Sequence, residues 1–148
     1  MSVVKLRVTW DGHAIAGVSG LTTLSRSTAV IEHRDGADPE PARKLPGRTS
    51  YAPVVLEREI TGDDGDFAAW AEAVTLDRPD GTGAGDPRKD LHIELLDPQG
   101  EVVLAYTLHR AWVSAYQPVF VPEASQHPVG METITVEFEG WQRHPPAT

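Results

Sequence analysis

The chain has 148 residues, a formal net charge of -9, 24% charged and 40% hydrophobic residues, and no cysteine. That length suits a single domain, 1–148, whose core is large enough to fold without metals or disulfides. The missing cysteine excludes a disulfide framework, a thiolate nucleophile and a cysteine-ligated zinc site, and the acidic balance argues against nucleic-acid binding, because affinity for phosphate comes from Lys and Arg displacing counterions.

The opening MSVVKLRVTWDG alternates in polarity and lacks the basic stretch and ~7–15-residue apolar run of a secretory signal. No apolar stretch approaches the ~20 residues of a membrane-spanning helix. Cytoplasmic synthesis and no membrane span are therefore expected. Leu6, Val8 and Trp10 share one face of a first strand, Asp11-Gly12 supplies a favoured hairpin turn, and a returning strand runs through Ile15.

Strands are predicted over 28–34 and 53–61, the second placing Val54, Leu56 and Ile60 on one side. Between them, 35–51 holds three prolines, two glycines and charges of both signs, and reads as a long loop of the kind that carries function. A single amphipathic helix is predicted over 64–75, with Phe67, Trp70, Ala71 and Val74 at i, i+3, i+4, i+7 spacing and Asp63 or Asp64 as cap. The following segment, 76–87, is rich in Gly, Pro and Asp and is predicted to be a mobile surface loop.

A hairpin over 88–113 is predicted to turn at Asp97-Pro98-Gln99-Gly100. The register expected from that turn sets Leu91 opposite Tyr106, Ile93 opposite Leu104 and Leu95 opposite Val102, all on one face. The other face then carries Asp90, His92, Glu94, Glu101, Val103, Ala105, Thr107 and His109 and is expected to meet water. A last strand over 132–139 places Ile134, Val136 and Phe138 against Thr133, Thr135 and Glu137. The fold class is accordingly mostly β and antiparallel, a barrel or sandwich with one helix.

Chemistry finds little foothold in these residues. His13, His33, His92, His109, His127 and His144 show no metal-ligand spacing, and in the predicted register His92 opposes Ala105 while His109 opposes Arg88. The run Thr61-Gly62-Asp63-Asp64-Gly65-Asp66 lacks the alternation and closing Glu of a calcium loop and suits a helix start instead. Ser19, Ser25, Ser27, Ser50, Ser114 and Ser125 lie in no nucleophile-elbow context, and Gly81-Thr82-Gly83-Ala84-Gly85 has neither the preceding strand nor the trailing Lys-Ser/Thr of a phosphate loop. No catalytic residue, metal or cofactor is expected. Trp112 and Trp141, near strand ends, leave a sugar-binding surface conceivable beside the commoner packing role of tryptophan.

The stretch VIEHRDGADPEPARKLPGRTSYAPVVLEREITGDDGDFAAWAEAV resembles the tail tube family of contractile phages and extracellular injection particles, with Arg43, Lys44, Leu45, Pro46, Gly47, Thr61, Asp63, Phe67 and Trp70 at matching positions. RKDLHIELLDPQGEVVLAYTLHRAWVSAYQPVF is similar to the family's hairpin ending in Ala-Trp, and METITVEFEGW to its closing strand, with Glu132, Glu139 and Gly140 in place. Val113, Tyr106 and Phe138 stand where the family often has Pro, Trp and His. The likeness spans about Val8 to Trp141.

The resemblance implies a structural subunit made in the bacterial cytoplasm, assembling as hexameric rings that stack into a conduit inside a contractile sheath. Its partners would be further copies of itself, sheath and baseplate proteins, and cargo in the lumen. Glu94, Glu101, Thr107, Thr133, Thr135 and Glu137 are then candidates to face the lumen, and Arg43, Lys44, Leu45, Pro46, Gly47 and Arg48 candidates for the interface between copies. The alternatives are a baseplate-proximal or cap component of the same machine and a β-sandwich module that binds a ligand or carbohydrate.

Overall fold

The computed structural model describes residues 5–33, 36, 43–60, 65–75, 86–121 and 129–145. Along the chain come β1 (Lys5–Trp10), β2 (His13–Ile15), β3 (Val18–Leu21), β4 (Arg26–His33), β5 (Arg43–Tyr51), β6 (Val54–Glu59), α1 (Asp66–Thr75), β7 (Lys89–Leu96), β8 (Val102–Val121), β9 (Val129–Glu137) and β10 (Gly140–His144). The main sheet runs β2-β1-β7-β8-β9-β6-β3, with β10 also on β8, while β4 and β5 form a separate two-stranded ribbon. All pairings are antiparallel.

β8 is long because it serves two layers. Its residues 102–111 pair with β7 and, over 105–109, with β10; residues 112–121 pair with β9. The strand changes layer at Arg110, which sits in the left-handed region at φ 53°. Asp90 Oδ1 accepts the Arg110 N–H at 3.3 Å, and its guanidinium meets Glu139 at 2.7 Å. A local irregularity of this kind bends a strand and lets it pass between layers.

The two layers enclose one core. Val8, Trp10, Leu91, Ile93 and Leu108 from the first meet Val54, Leu56, Val113, Ile134 and Val136 from the second. The chain is thus a sandwich whose path ends at β2 and β3 without closing into a barrel. Helix α1 brings Phe67 and Trp70 into this core, with ring centroids 5.9 and 4.6 Å from Trp10. The Trp70 indole N–H donates to the Pro87 carbonyl at 2.8 Å, which satisfies the one polar atom that this burial removes from water.

Several predicted elements stand as expected. Asp11 and Gly12, at φ 53° and 81°, turn β1 into β2, and the alternation of 54–59 buries Val54 and Leu56. The 88–113 hairpin forms, but its register differs by two residues over most of its length: Leu91 pairs with Leu108, Ile93 with Tyr106 and Leu95 with Leu104. Gly100, at φ 84°, adds one residue of offset at the turn, where Asp97 Oδ1 accepts the N–H groups of Gln99 and Glu101, and a bulge between Leu95 and Leu96 adds the second. Two one-residue slips restore the facing, so Leu91 and Ile93 are still buried.

The loop expected over 35–51 requires correction, because Arg43–Tyr51 is strand β5. The cap residues Asp63 and Asp64, the glycine segment 81–85 and most of the 76–87 loop lie outside the described residues.

Candidate assembly surfaces

The β4–β5 ribbon is exposed on both faces for almost its whole length. Hydroxyl pairs tie it together, Thr28 to Thr49 at 2.8 Å and Ser27 to Ser50 at 3.4 Å. Further out the register slips between Thr28 and Val30, where Pro46, lacking an N–H, is tolerated opposite Val30. Gly47 leaves little room there for a side chain. A Cβ on it would lie 3.0 Å from Ile31 Cγ1 and 3.1 Å from the Ala29 carbonyl oxygen.

Ile31 and Leu45 are direct cross-strand partners and share a face. With Val30 they are the large apolar side chains most exposed on the ribbon, at 51%, 48% and 62%. Among the described residues the ribbon is anchored at its root, where Tyr51 packs on Phe138 and Trp141 with centroids at 5.8 and 5.3 Å, and Arg26 lies 5.3 Å over the Trp141 ring. Trp141 therefore serves as the footing of the ribbon. An isolated two-stranded hairpin is marginal in water, so a ribbon that keeps apolar side chains in solvent calls for a second surface.

All six residues singled out as interface candidates, Arg43, Lys44, Leu45, Pro46, Gly47 and Arg48, fall on β5. The strands β4 and β5 carry Arg26, Arg43, Lys44 and Arg48 against Glu32 as their one acidic residue, a local charge of +3 on a chain of -9.

The six lumen candidates separate into three places. Thr133, Thr135 and Glu137 alternate on the outward face of β9, with Glu132, Ile134 and Val136 buried behind them. Glu57 and Val55 of β6 stand beside Thr133 and Thr135, as do Gln117 and Ala115 of β8, so this face is polar with little charge. Glu94 and Thr107 belong to the other layer. Glu94 accepts from the Arg7 guanidinium at 2.8 Å, and Thr107 is buried between His92 and His144, its hydroxyl 3.0 and 2.8 Å from their ring nitrogens. Glu101 is exposed at the β7–β8 turn. His92 thus faces Thr107, in place of the expected Ala105.

The layer bearing Thr133 and Thr135 has four strands in the order β3, β6, β9, β8. Among the described residues, its β8 segment 112–121 pairs on one side only, and the four-residue β3 pairs only with β6. Unpaired N–H and C=O groups along both edges are templates for a further strand. No group of three or more His, Asp or Glu is placed to hold a metal among the described residues.

Beneath this sheet lies a charged node that sequence reading missed. Arg58 Nε donates to Glu132 Oε1 at 2.7 Å with both side chains almost fully buried, and Arg58 also donates to the Ala16 carbonyl at 3.2 Å. The guanidinium lies 4.3 Å from the Phe67 ring centre. The Tyr116 hydroxyl donates to Glu132 Oε2 at 2.7 Å, and burial, followed by that bond, raises the Tyr116 pKa above its usual 10.0. The signal was present in the pattern. Arg58 continues the buried parity of Val54 and Leu56, and Glu132 that of Ile134 and Val136, so two opposite charges occupy apolar positions on neighbouring strands.

Comparison with known proteins places these surfaces in context. The family model of the T4-like virus tail tube protein gp19 matches residues 3–142. No curated protein matches the sequence. Among solved structures, a chain of the extracellular contractile injection system PVC sheath-tube complex in its extended state superposes with a TM-score of 0.78 at 18% identity, over 98% of this chain and 91% of that one. A chain from the cap of the anti-feeding prophage gives 0.76 at 17% identity, over 95% and 87%. Hcp1 from Flavobacterium johnsoniae gives 0.55 at 17% identity, over 93% of each chain. At these identities the likenesses speak for the fold, and the match to the family model over nearly the whole chain makes this protein a member of the T4-like virus tail tube protein gp19 family.

Proposed function

We propose that this protein is a non-catalytic structural subunit of the inner tube of a contractile injection system or phage tail, with six copies per ring and rings stacked into a conduit. The observation that carries the reading is the β4–β5 ribbon, which projects apolar and basic side chains that nothing among the described residues covers. Such a ribbon gains a packed surface by docking on another molecule, and the excess of negative charge elsewhere on the chain makes another copy a complementary partner. Arg43, Lys44, Leu45, Pro46, Gly47 and Arg48 are assigned to that contact.

Ring closure follows from the four-stranded layer. If β8 of one copy joins the β3 side of the next, six copies give a continuous barrel without free edges. The face of Thr133, Thr135 and Glu137 then lines the lumen. A hydroxyl-rich wall with acidic points and no Lys or Arg on β9 offers no binding energy to nucleic acid, which suits passage rather than retention of cargo. Sheath and baseplate proteins are the partners outside the tube, and synthesis is cytoplasmic.

The chains superposing on this one include members of a baseplate and a cap as well as a sheath-tube complex. A position at one end of the same machine is therefore the second reading. Mass photometry across a wide concentration range tests the proposal. A ring-sized species near six times the 16.1 kDa chain is expected, and a monomer throughout, even when mixed with sheath and baseplate proteins, refutes it.

A further inference from the structure

One face of the sandwich is left open beside the root of the ribbon. Leu6 of β1, Leu95 of β7 and Tyr106 of β8 form one side of a groove of about 480 Å³, and Leu21 and Leu24, at the end of β3 and in the link to β4, form the other. These five side chains are half-buried, and apolar atoms dominate the lining. No described residue of β4 or β5 lines it, although the link that forms its wall leads straight into β4.

Among the described residues, therefore, one chain carries an uncovered apolar groove and, elsewhere, an uncovered apolar wedge. Ile31 and Leu45, paired across the ribbon on one face, are that wedge. Ile31 is folded close over Gly47, whose missing Cβ leaves the wedge compact. Arg43 and Lys44 precede Leu45 along β5, while Asp97 and Glu101 stand at the turn just beyond Leu95 and Leu96. At that end of the groove the two acidic side chains outnumber Lys5, which pairs with Leu96, and complement the basic residues of the ribbon.

We infer that the groove of one copy is the seat of the Ile31–Leu45 face of the ribbon from the next copy. This rests on the tube reading above and names the partner surface it leaves open. The contact joins two different patches, so it propagates from copy to copy and closes a ring or links successive rings. Burying Ile31 and Leu45 in the groove would cover two of the four exposed large apolar residues among the described residues.

Absence of cysteine makes the test clean. Protomers carrying Ile31→Cys are mixed with protomers carrying Leu95→Cys, allowed to assemble, oxidised, and run on a non-reducing gel beside electron micrographs of the same sample. Mixed disulfide dimers should form about tenfold or more faster than with Gln142→Cys as the second partner, since docking raises the local thiol concentration. The doubly substituted chain should give a ladder. Assembled particles that cross-link no faster than the Gln142 control, with Leu24→Cys in place of Leu95→Cys giving the same result, overturn the seat while leaving the tube reading intact. Absence of any assembly from the wild-type chain alone and with its partner proteins overturns both. A folded Leu24→Cys variant keeps the test decisive where Leu95→Cys unfolds.

Discussion

Replacing Arg58 by Met removes the guanidinium from a site where Arg58 and Glu132 are 1% and 3% exposed. Glu132 would keep the Tyr116 hydroxyl at 2.7 Å but lose the cation that compensates its charge. Breaking a buried pair on one side costs about 3–5 kcal/mol, a large part of the ~5–15 kcal/mol that stabilises an ordinary domain. The converse change separates burial from attraction. Replacing both partners, Arg58→Met with Glu132→Leu, takes away two desolvation penalties together with the attraction, and lands near the wild type or above it, within about 1–4 kcal/mol. Urea unfolding of wild type, the two single variants and the double variant completes a cycle whose coupling is read at constant slope. If Arg58→Met melts within about 1 kcal/mol of wild type, then the pair is solvated and the account of the core is wrong.

Trp70→Ala empties the centre of the aromatic cluster with Trp10 and Phe67 and strands the Pro87 carbonyl, so a loss of about 3–5 kcal/mol and little soluble protein are expected; wild-type-like melting would place Trp70 outside the core. Arg43→Glu with Lys44→Glu changes charges on an exposed strand, so thermal stability should stay within about 1 kcal/mol while assembly fails, and normal particles from this variant would remove these charges from the interface. Tyr116 holds its proton more tightly folded than unfolded. As pH rises past its ordinary value of 10.0 the unfolded chain releases that proton first, and stability falls from there upward; Tyr116→Phe should flatten that part of the pH profile, and an unchanged profile would contradict the half-buried hydrogen bond to Glu132.

Much of the fold is legible where a strand has one wet and one dry face. Val54 and Leu56, Ile134 and Val136, and Phe67 and Trp70 on the helix announce themselves by period, because burial on one side imposes it. The ribbon is not legible for the same reason. With neither face buried, β5 has no alternation to display, and its Pro46, Gly47 and charged residues read as loop until a partner strand is seen beside them. β10, Gly140–His144, hides likewise, pairing along β8 with mostly exposed or half-buried side chains. The hairpin register was shifted by Gly100 and by the bulge at Leu95, features that a count of alternating residues does not register. Of the candidate surfaces, the β9 face followed from alternation alone, whereas Glu94 and Thr107 went to the other layer because β8 crosses between layers at Arg110.

The central claim, that this chain builds a hollow tube through its ribbon and its open-edged sheet, is tested most directly by electron cryomicroscopy of the assembled protein. The account predicts six-fold rings in which β9 presents Thr133, Thr135 and Glu137 to the lumen and each β4–β5 ribbon lies on a neighbouring copy. Rings whose lumen is lined by other strands, or ribbons left in solvent within an assembled tube, would contradict it.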